Sequence, residues 1–297
     1  MAMPFRQSMQ NVLLPILREA YNAETAIIVP GSGTFAMYFS PYTKDELTAR
    51  PHREAVARQF ALNQKTVIVR NGLFSFRWSA ILEMAGTTVP PTVLRAAPLN
   101  AADPQSQWAP PAIATVVQTI REQRPRVVFV PHVETATGIL LPEDYLAQIG
   151  QACRDADALF CLDCIASGAL WTDMKRFNVD IVISAPQKAW SSSACCGFVM
   201  LGARGREALK ASGPASSFAL DLKQWDLVWT EKYAKGEFLC AFFLHLRLRS
   251  TRWGGGAHKT EHKLTKRPTK RRRPYHGAHR FAHGSEPQHG RNARFWF

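Results

Sequence analysis

The sequence predicts an α/β protein in which a mostly parallel sheet is covered by helices on both faces. Short runs of β-branched residues alternate with longer amphipathic segments, which is the pattern that repeated strand–helix–strand units require. The chain has 297 residues, of which 46% are hydrophobic and 20% are charged, so it can bury a core of globular size. No stretch approaches about 18 uninterrupted apolar residues, which argues against a membrane span.

Strands are predicted where short apolar runs end at polar or turn-forming residues, and helices where apolar residues recur every three or four positions. Prolines open the segment at 110–123, near a first helical turn, where a missing N–H does least harm. In chain order we expect a helix at 11–21, strands at 25–30 and 65–70, helices at 74–85 and 110–123, a strand at 126–131, a helix at 142–155, strands at 158–163, 180–184 and 197–201, and a helix at 204–210.

One segment interrupts this pattern. Residues 34–37 begin like a helix after a glycine turn, and residues 54–61 continue like one, but the stretch from Tyr38 to Arg53 contains Pro41 and Pro51, which a helix interior does not tolerate. Removing Tyr38 to Arg53 would join the two parts into one amphipathic helix. We therefore interpret residues 38–53 as an insertion; an ordinary loop between two short helices is the alternative.

The net charge of +14 belongs mainly to the C-terminal segment. Residues 239–297 hold 14 of the 37 basic residues and 2 of the 23 acidic ones, whereas residues 1–238 are nearly neutral. Few apolar positions recur regularly in this segment, so its composition predicts a disordered tail. The 6 cysteines are scattered, unlike a secreted disulfide framework, and the N-terminus lacks a secretory signal pattern. We expect a soluble, intracellular protein.

A glycine turn follows the first predicted strand. The run Gly31-Ser32-Gly33-Thr34 precedes a helix-like segment, and free N–H groups at the start of a helix bind phosphate. A plain glycine turn gives the same pattern. A Walker loop is excluded because no Gly-Lys-Ser/Thr follows, and a dinucleotide-binding turn would need an acidic residue where Arg70 ends the next strand.

Two later strands end near residues that can do chemistry. Asp163 ends the predicted strand at 158–163, and ligands of open α/β sheets gather at the carboxyl ends of strands. A carboxylate that caps the next turn is the alternative. Lys188 follows the strand at 180–184, near Trp190 and several small residues, so we expect a partly desolvated amine that can form a Schiff base.

Two short motifs near these strands partly resemble a zinc site, but their details argue against one. His132-x-Glu134 and Cys161-x-x-Cys164 partly match the pattern of zinc deaminases, but Phe160 occupies the proline position of that pattern. Cys161 and Cys164 would also point to opposite faces of a strand-like run. We expect no metal ion in the site.

Five motifs occur in a characteristic order and spacing. They are Gly31-Ser-Gly-Thr34, Asn71-Gly72, His132-Val-Glu-Thr-Ala-Thr-Gly138, Asp163-Cys-Ile-Ala-Ser167 and Ser184-Ala-Pro-Gln-Lys188. Together they resemble the class V (subgroup IV) pyridoxal-phosphate aminotransferases, and most of all the alanine-glyoxylate and serine-pyruvate branch. The similarity covers roughly residues 5–238 outside the insertion. It implies the large domain of a type I pyridoxal-phosphate-dependent transferase, with pyridoxal 5′-phosphate as cofactor.

The resemblance also implies roles for individual residues. Lys188 would form the Schiff base and move the proton between substrate and cofactor, and Asp163 would pair with the pyridinium nitrogen. An amino group would pass from alanine or serine to glyoxylate or pyruvate. The remaining implied contacts are Ser32, Gly33, Thr34 and Gln187 at the phosphate, Phe74 and Ile165 on the two faces of the ring, and Thr135 near the ring hydroxyl.

The resemblance has gaps at both ends. We expect the family's N-terminal arm to be missing before the first helix, and we expect the basic tail after residue 238 to replace the C-terminal small domain and its substrate-carboxylate arginine. The family is homodimeric, so we expect partly missing dimer contacts, exposed apolar surface and impaired turnover. Its members imply a peroxisomal, mitochondrial or cytoplasmic location.

Two other functions remain open. The first is a related enzyme of the same cofactor class, such as a lyase or a cysteine desulfurase, although desulfurases usually have His before the Schiff-base lysine, where this chain has Gln187. The second is nucleic-acid binding through the basic run from Lys266 to Arg273, since phosphate contacts would provide affinity. A solvated tail is the simpler interpretation of that run.

Overall fold

The computed structural model describes residues 8–30, 50–167, 169–188 and 190–232. All of them lie in the first of the chain's two units, residues 1–249. The glycine turn at 31–34, most of the predicted insertion, the predicted boundary at 238 and the basic tail lie outside the described residues.

Seven strands form the central sheet of the described part. In chain order they are β1 (Thr25–Pro30), β2 (Thr66–Arg70), β3 (Thr92–Arg95), β4 (Val127–Pro131), β5 (Leu159–Asp163), β6 (Ile181–Ser184) and β7 (Cys196–Leu201). They lie side by side in the order β1-β7-β6-β5-β4-β2-β3. β7 is antiparallel to both of its neighbours, and the other four pairs are parallel. Every residue of β4, β5 and β6 is buried, as expected for parallel strands with both faces covered.

Seven helices of the described part accompany the sheet, and they alternate with the strands from β1 to β5. They are α1 (Leu14–Tyr21), α2 (Arg50–Val56), α3 (Leu73–Met84), α4 (Ile113–Gln123), α5 (Glu143–Asp155), α6 (Ala203–Ala211) and α7 (Leu222–Leu227). Short π-helical turns precede α1 at Met9–Leu13 and extend α2 and α7 at Ala57–Ala61 and Val228–Lys232. Two small antiparallel pairs lie outside the main sheet, Ala97–Pro98 with Trp108–Ala109 and Val133–Glu134 with Ile139–Leu140. None of the described helices has the length and apolar character needed to cross a membrane.

The predicted fold class is confirmed. Each helix and strand in the predicted order is present, with its ends shifted by a few residues, whereas β3, α7 and the two small antiparallel pairs were not predicted. The edge strand β3 is only partly buried, and its sequence does not contain the apolar run that marks the inner strands. The short α7 is preceded by Asp221, whose side chain caps the helix by accepting hydrogen bonds from the backbone N–H groups of Lys223 and Gln224.

Helix α2 reaches into the predicted insertion. It begins at Arg50, four residues before the point at which the sequence pattern resumes, and Pro51 lies in its first turn, where proline is tolerated. The side chain of Arg53 is buried in the same turn. Part of the stretch interpreted as an insertion therefore contributes to the folded core.

Candidate active site

The parallel pairing gathers four of the five motifs at one edge of the sheet. Strands β2, β4, β5 and β6 run in the same direction, so their carboxyl ends lie together. In the register of β5 and β6, Asp163 is paired with Ile183, and Lys188 follows the end of β6. β1 and β6 are both antiparallel to β7, so β1 also ends at this edge, at Pro30. The fifth motif, with Ser32, Gly33 and Thr34, continues from there outside the described residues.

Asp163 is a buried carboxylate with a cation beside it. Its side chain is 4% exposed, and Nη2 of Arg53 lies 2.6 Å from Oδ2. The backbone N–H of Ile165 donates to Oδ1 at 3.2 Å. Burial raises the pKa of Asp163, while the Arg53 guanidinium and the Ile165 N–H oppose that shift. The carboxylate that the resemblance assigns to a ring nitrogen thus already has an ion-pair partner within the chain.

Arg53 is held by three neighbours. Besides its ion pair with Asp163, its Nη1 donates to the backbone carbonyl of Phe74 at 3.4 Å. Its Cζ lies 5.9 Å from the ring centroid of Trp78, which is fully buried and stacks on Phe129 at 4.2 Å. Nε of Arg53 is buried without a hydrogen-bond acceptor among the described residues. Nothing in the local sequence around residue 53 indicated this position, because its partners lie far away in the chain.

Glu134 anchors the start of α3. The side chain is fully buried and accepts hydrogen bonds from the N–H of Phe74 at 3.1 Å, the N–H of Ser75 at 2.9 Å and the hydroxyl of Ser75 at 2.7 Å. These donors, together with the helix dipole, stabilise a negative charge at the N-terminus of a helix. A Cβ on Gly72 would lie 2.8 Å from Cγ of Glu134, so this close approach requires glycine. The sequence pattern included Glu134 only as a disfavoured zinc signal.

Phe74 lies between these charged groups and is half-buried. Its N–H donates to Glu134, and its carbonyl accepts from Arg53. The guanidinium of Arg77 lies over its ring, with Cζ 4.6 Å from the centroid. A planar ligand that stacks on Phe74 would therefore need the other face of the ring.

His132 and Asn71 directly follow the ends of β4 and β2 at the same edge of the sheet. Nδ1 of buried His132 lies 2.9 Å from the hydroxyl of Ser167, and the His132 N–H donates to the carbonyl of Asp163 at 3.0 Å. Burial lowers the pKa of His132 below its ordinary value of 6.5. The carbonyl of Asn71 accepts from the hydroxyl of Thr137 at 2.9 Å, but its buried side-chain amide has no hydrogen-bond partner among the described residues. A buried, unsatisfied amide at this edge is the kind of group that a ligand can satisfy.

The other predicted residues differ in exposure. Ile165 is buried beside Asp163, Gln187 is half-buried and Thr135 is exposed. Lys188 is also exposed, so the expectation of a partly desolvated lysine is wrong. The turn that carries it folds back at the surface, where the N–H of Ser191 donates to the carbonyl of Lys188 at 3.2 Å. Within the described ranges, no group of three metal-ligating side chains lies close enough to hold an ion.

Comparison with known proteins identifies similar sequences. The family described as aminotransferase class-V matches residues 94–211. A 2-aminoethylphosphonate–pyruvate transaminase of Bacillus mycoides is 24% identical over 223 residues, which cover 74% of this chain and 53% of that protein. An (S)-ureidoglycine–glyoxylate transaminase of Bacillus subtilis is 28% identical over 137 residues, covering 39% and 32%. The chain spans about half the length of the curated relatives it matches, or less.

Solved structures share the fold. A ureidoglycine-glyoxylate aminotransferase of Bacillus subtilis superimposes with a TM-score of 0.57 at 21% identity, covering 76% of this chain and 52% of that chain. An alanine–glyoxylate aminotransferase of Nostoc sp. gives 0.57 at 19% identity, covering 76% and 53%. The architecture is that of the type I pyridoxal-phosphate-dependent transferases.

We expect Glu134→Ala to destabilise the protein by about 2–4 kcal/mol, because it leaves buried N–H and O–H donors of Phe74 and Ser75 without an acceptor. The free energy of unfolding from urea titration measures this loss. Glu83→Ala, at an exposed position of the same helix, is the matched control and should change it by less than about 0.5 kcal/mol. Equal effects of the two substitutions would contradict the anchoring role.

The lowered pKa of His132 predicts a loss of stability in acid. Because the unfolded chain takes up a proton near its ordinary pKa of 6.5 while the folded chain resists it, the free energy of unfolding should fall as the pH drops below that value. Urea titrations between about pH 8 and pH 5 would measure the slope. His132→Asn, which has no group that titrates in this range, should give a shallower slope; identical slopes would refute the assignment.

Proposed function

We propose that the chain is a class V aminotransferase, that it binds pyridoxal 5′-phosphate at the carboxyl edge of the sheet, and that it works in an enzyme that transfers amino groups to a small 2-oxo acid. The observation that supports this most is the buried carboxylate of Asp163 beside the strand that leads to Lys188. A homodimer, as in the family, is part of the same proposal.

Three described features fit this cofactor. Asp163 supplies a buried anion for the ring nitrogen, and Phe74 offers an aromatic face beside it. The unsatisfied amide of Asn71 adds an unused polar group at the same edge. Arg53 is the feature that fits less well, because it already pairs with Asp163.

Lys188 and Asp163 would have different roles in the reaction. Lys188 is the amine that would hold the aldehyde of the cofactor covalently, and its exposure on a surface turn leaves it free to reach a carbonyl. The same amine would then carry the proton to and from the substrate Cα. Asp163 would keep the ring nitrogen protonated, and when bound, pyridoxal phosphate supplies the electron sink for the Cα–H bond pair.

The remaining contacts are those that the resemblance to class V aminotransferases implies. Ile165 and Phe74 would enclose the ring, and Thr135 would hydrogen-bond near its hydroxyl. Gln187, half-buried next to Lys188, would help the loop at Ser32, Gly33 and Thr34 to bind the phosphate, since a helix N-terminus favours anions.

For the substrates, we propose alanine or serine as amino donor and glyoxylate or pyruvate as acceptor. The names of the relatives support the acceptors, since one uses pyruvate and the other glyoxylate. Their donors are 2-aminoethylphosphonate and ureidoglycine, so the donor is the less supported half of the proposal.

The first test is covalent capture. After incubation with pyridoxal 5′-phosphate and reduction with borohydride, peptide mass spectrometry should find the reduced adduct on Lys188. Lys188→Ala should remove it, whereas Lys175→Ala, at another exposed lysine, should leave it unchanged. Labelling of other lysines to the same extent in the Lys188→Ala protein would overturn the proposal.

The second test concerns the donor. With glyoxylate as acceptor, ¹⁵N from labelled alanine or serine should appear in glycine, and faster than ¹⁵N from 2-aminoethylphosphonate. Lys188→Ala sets the background. Faster transfer from 2-aminoethylphosphonate would reverse the assignment of the donor and leave the cofactor site intact.

A further inference from the structure

Arg53 contacts two of the residues that the proposed function assigns to the cofactor ring, Asp163 and Phe74. Its Nη2 lies 2.6 Å from the Asp163 carboxylate, and its Nη1 donates to the carbonyl of Phe74. The side chain is 3% exposed, so this contact is made away from water. The guanidinium therefore lies where the nitrogen end of the ring would have to be held.

A buried carboxylate carries one negative charge, so it can balance the charge of only one cation. Among the described residues, Asp163 is the single carboxylate that pairs with Arg53. A protonated ring nitrogen next to the same carboxylate would leave one of the two cations buried without a counter-ion, which the low dielectric of the interior strongly disfavours. The guanidinium and a protonated ring nitrogen therefore exclude each other at Asp163.

The position of Arg53 in the chain allows it to leave. It lies in the first turn of α2, where backbone N–H groups lack partners within the helix and helices fray most easily. The residues just before α2 belong to the predicted insertion, which interrupts a segment that would otherwise be one helix.

We propose that Arg53 is the resident counter-ion of Asp163 and competes with the protonated ring nitrogen of pyridoxal 5′-phosphate, so that cofactor binding requires Arg53 to swing out. This inference rests on the proposed function. It makes Arg53 a residue that sets the affinity of the site without taking part in the reaction.

The test uses 4′-deoxypyridoxine 5′-phosphate, which keeps the ring nitrogen and the phosphate but has no aldehyde, so its binding does not depend on Lys188. Calorimetric titration should show Arg53→Met binding it at least about tenfold more tightly than the unchanged chain, because Met fills a similar volume without the charge.

Arg204→Met is the matched control. Nη1 of Arg204 lies 3.1 Å from Oδ2 of Asp180, whose side chain is 3% exposed, and Asp180 immediately precedes β6, at the opposite edge of the sheet. This substitution also breaks a pair with a buried carboxylate, and it should leave the affinity for the ring compound unchanged.

A second measurement needs no substitution. Phenylglyoxal modifies accessible guanidinium groups, and ligands usually protect them. Here the ring compound should increase the modification of Arg53 in the unchanged chain, as read by peptide mapping, because it expels the side chain into solvent. This readout also decides the matter if Arg53→Met fails to fold.

The outcomes separate the two proposals. Tighter binding by Arg53→Met, or ligand-induced modification of Arg53, supports the competition. Equal or weaker binding by Arg53→Met, or protection of Arg53 by the ligand, overturns this inference alone. Absence of binding to every protein overturns the proposed function and this inference with it.

Discussion

The parallel hydrogen bonding of β4, β5 and β6 is the constraint on which the site depends. Pro131 and Ile183 flank Asp163 in the register of the sheet, so the three strands end side by side. Residues far apart in the sequence then meet because each loop leaves the sheet at the same edge. A shift of β5 by one residue relative to its neighbours would turn the Asp163 side chain to the other face of the sheet. The register of this buried strand therefore determines on which face the charge lies.

Two buried carboxylates at this edge are stabilised in different ways. Glu134 is solvated by N–H and O–H donors at the start of α3, whereas Asp163 has a full positive charge beside it. Phe74 links the two arrangements, since its N–H serves one carboxylate and its carbonyl accepts from the cation of the other. The backbone of Phe74 is thereby held at both its N–H and its carbonyl group.

The sequence predicts well what depends on local pattern. Apolar periodicity located β4, β5 and β6, and the rule that ligands gather at carboxyl ends placed Asp163 and Lys188 at neighbouring strand ends. It fails where the outcome depends on distant partners. The pairing of residues 53 and 163 leaves no local trace, because it joins a helix start to a strand end more than 100 residues away. The exposure of Lys188 follows from how its turn folds back, which the small residues around it do not specify. The hydrogen bonds of Glu134 to Phe74 and Ser75 were not predicted, because in the sequence Glu134 belongs to a motif that resembles a zinc pattern.

The contact between Gly72 and Glu134 has an evolutionary consequence. The backbone of Gly72 is extended, with φ at 171°, a conformation open to any residue, so space alone demands glycine there. Selection at position 72 is therefore coupled to the length of the side chain at 134. In related chains, a larger residue at the first position should appear together with a shorter acid or an amide at the second, and the two columns should covary.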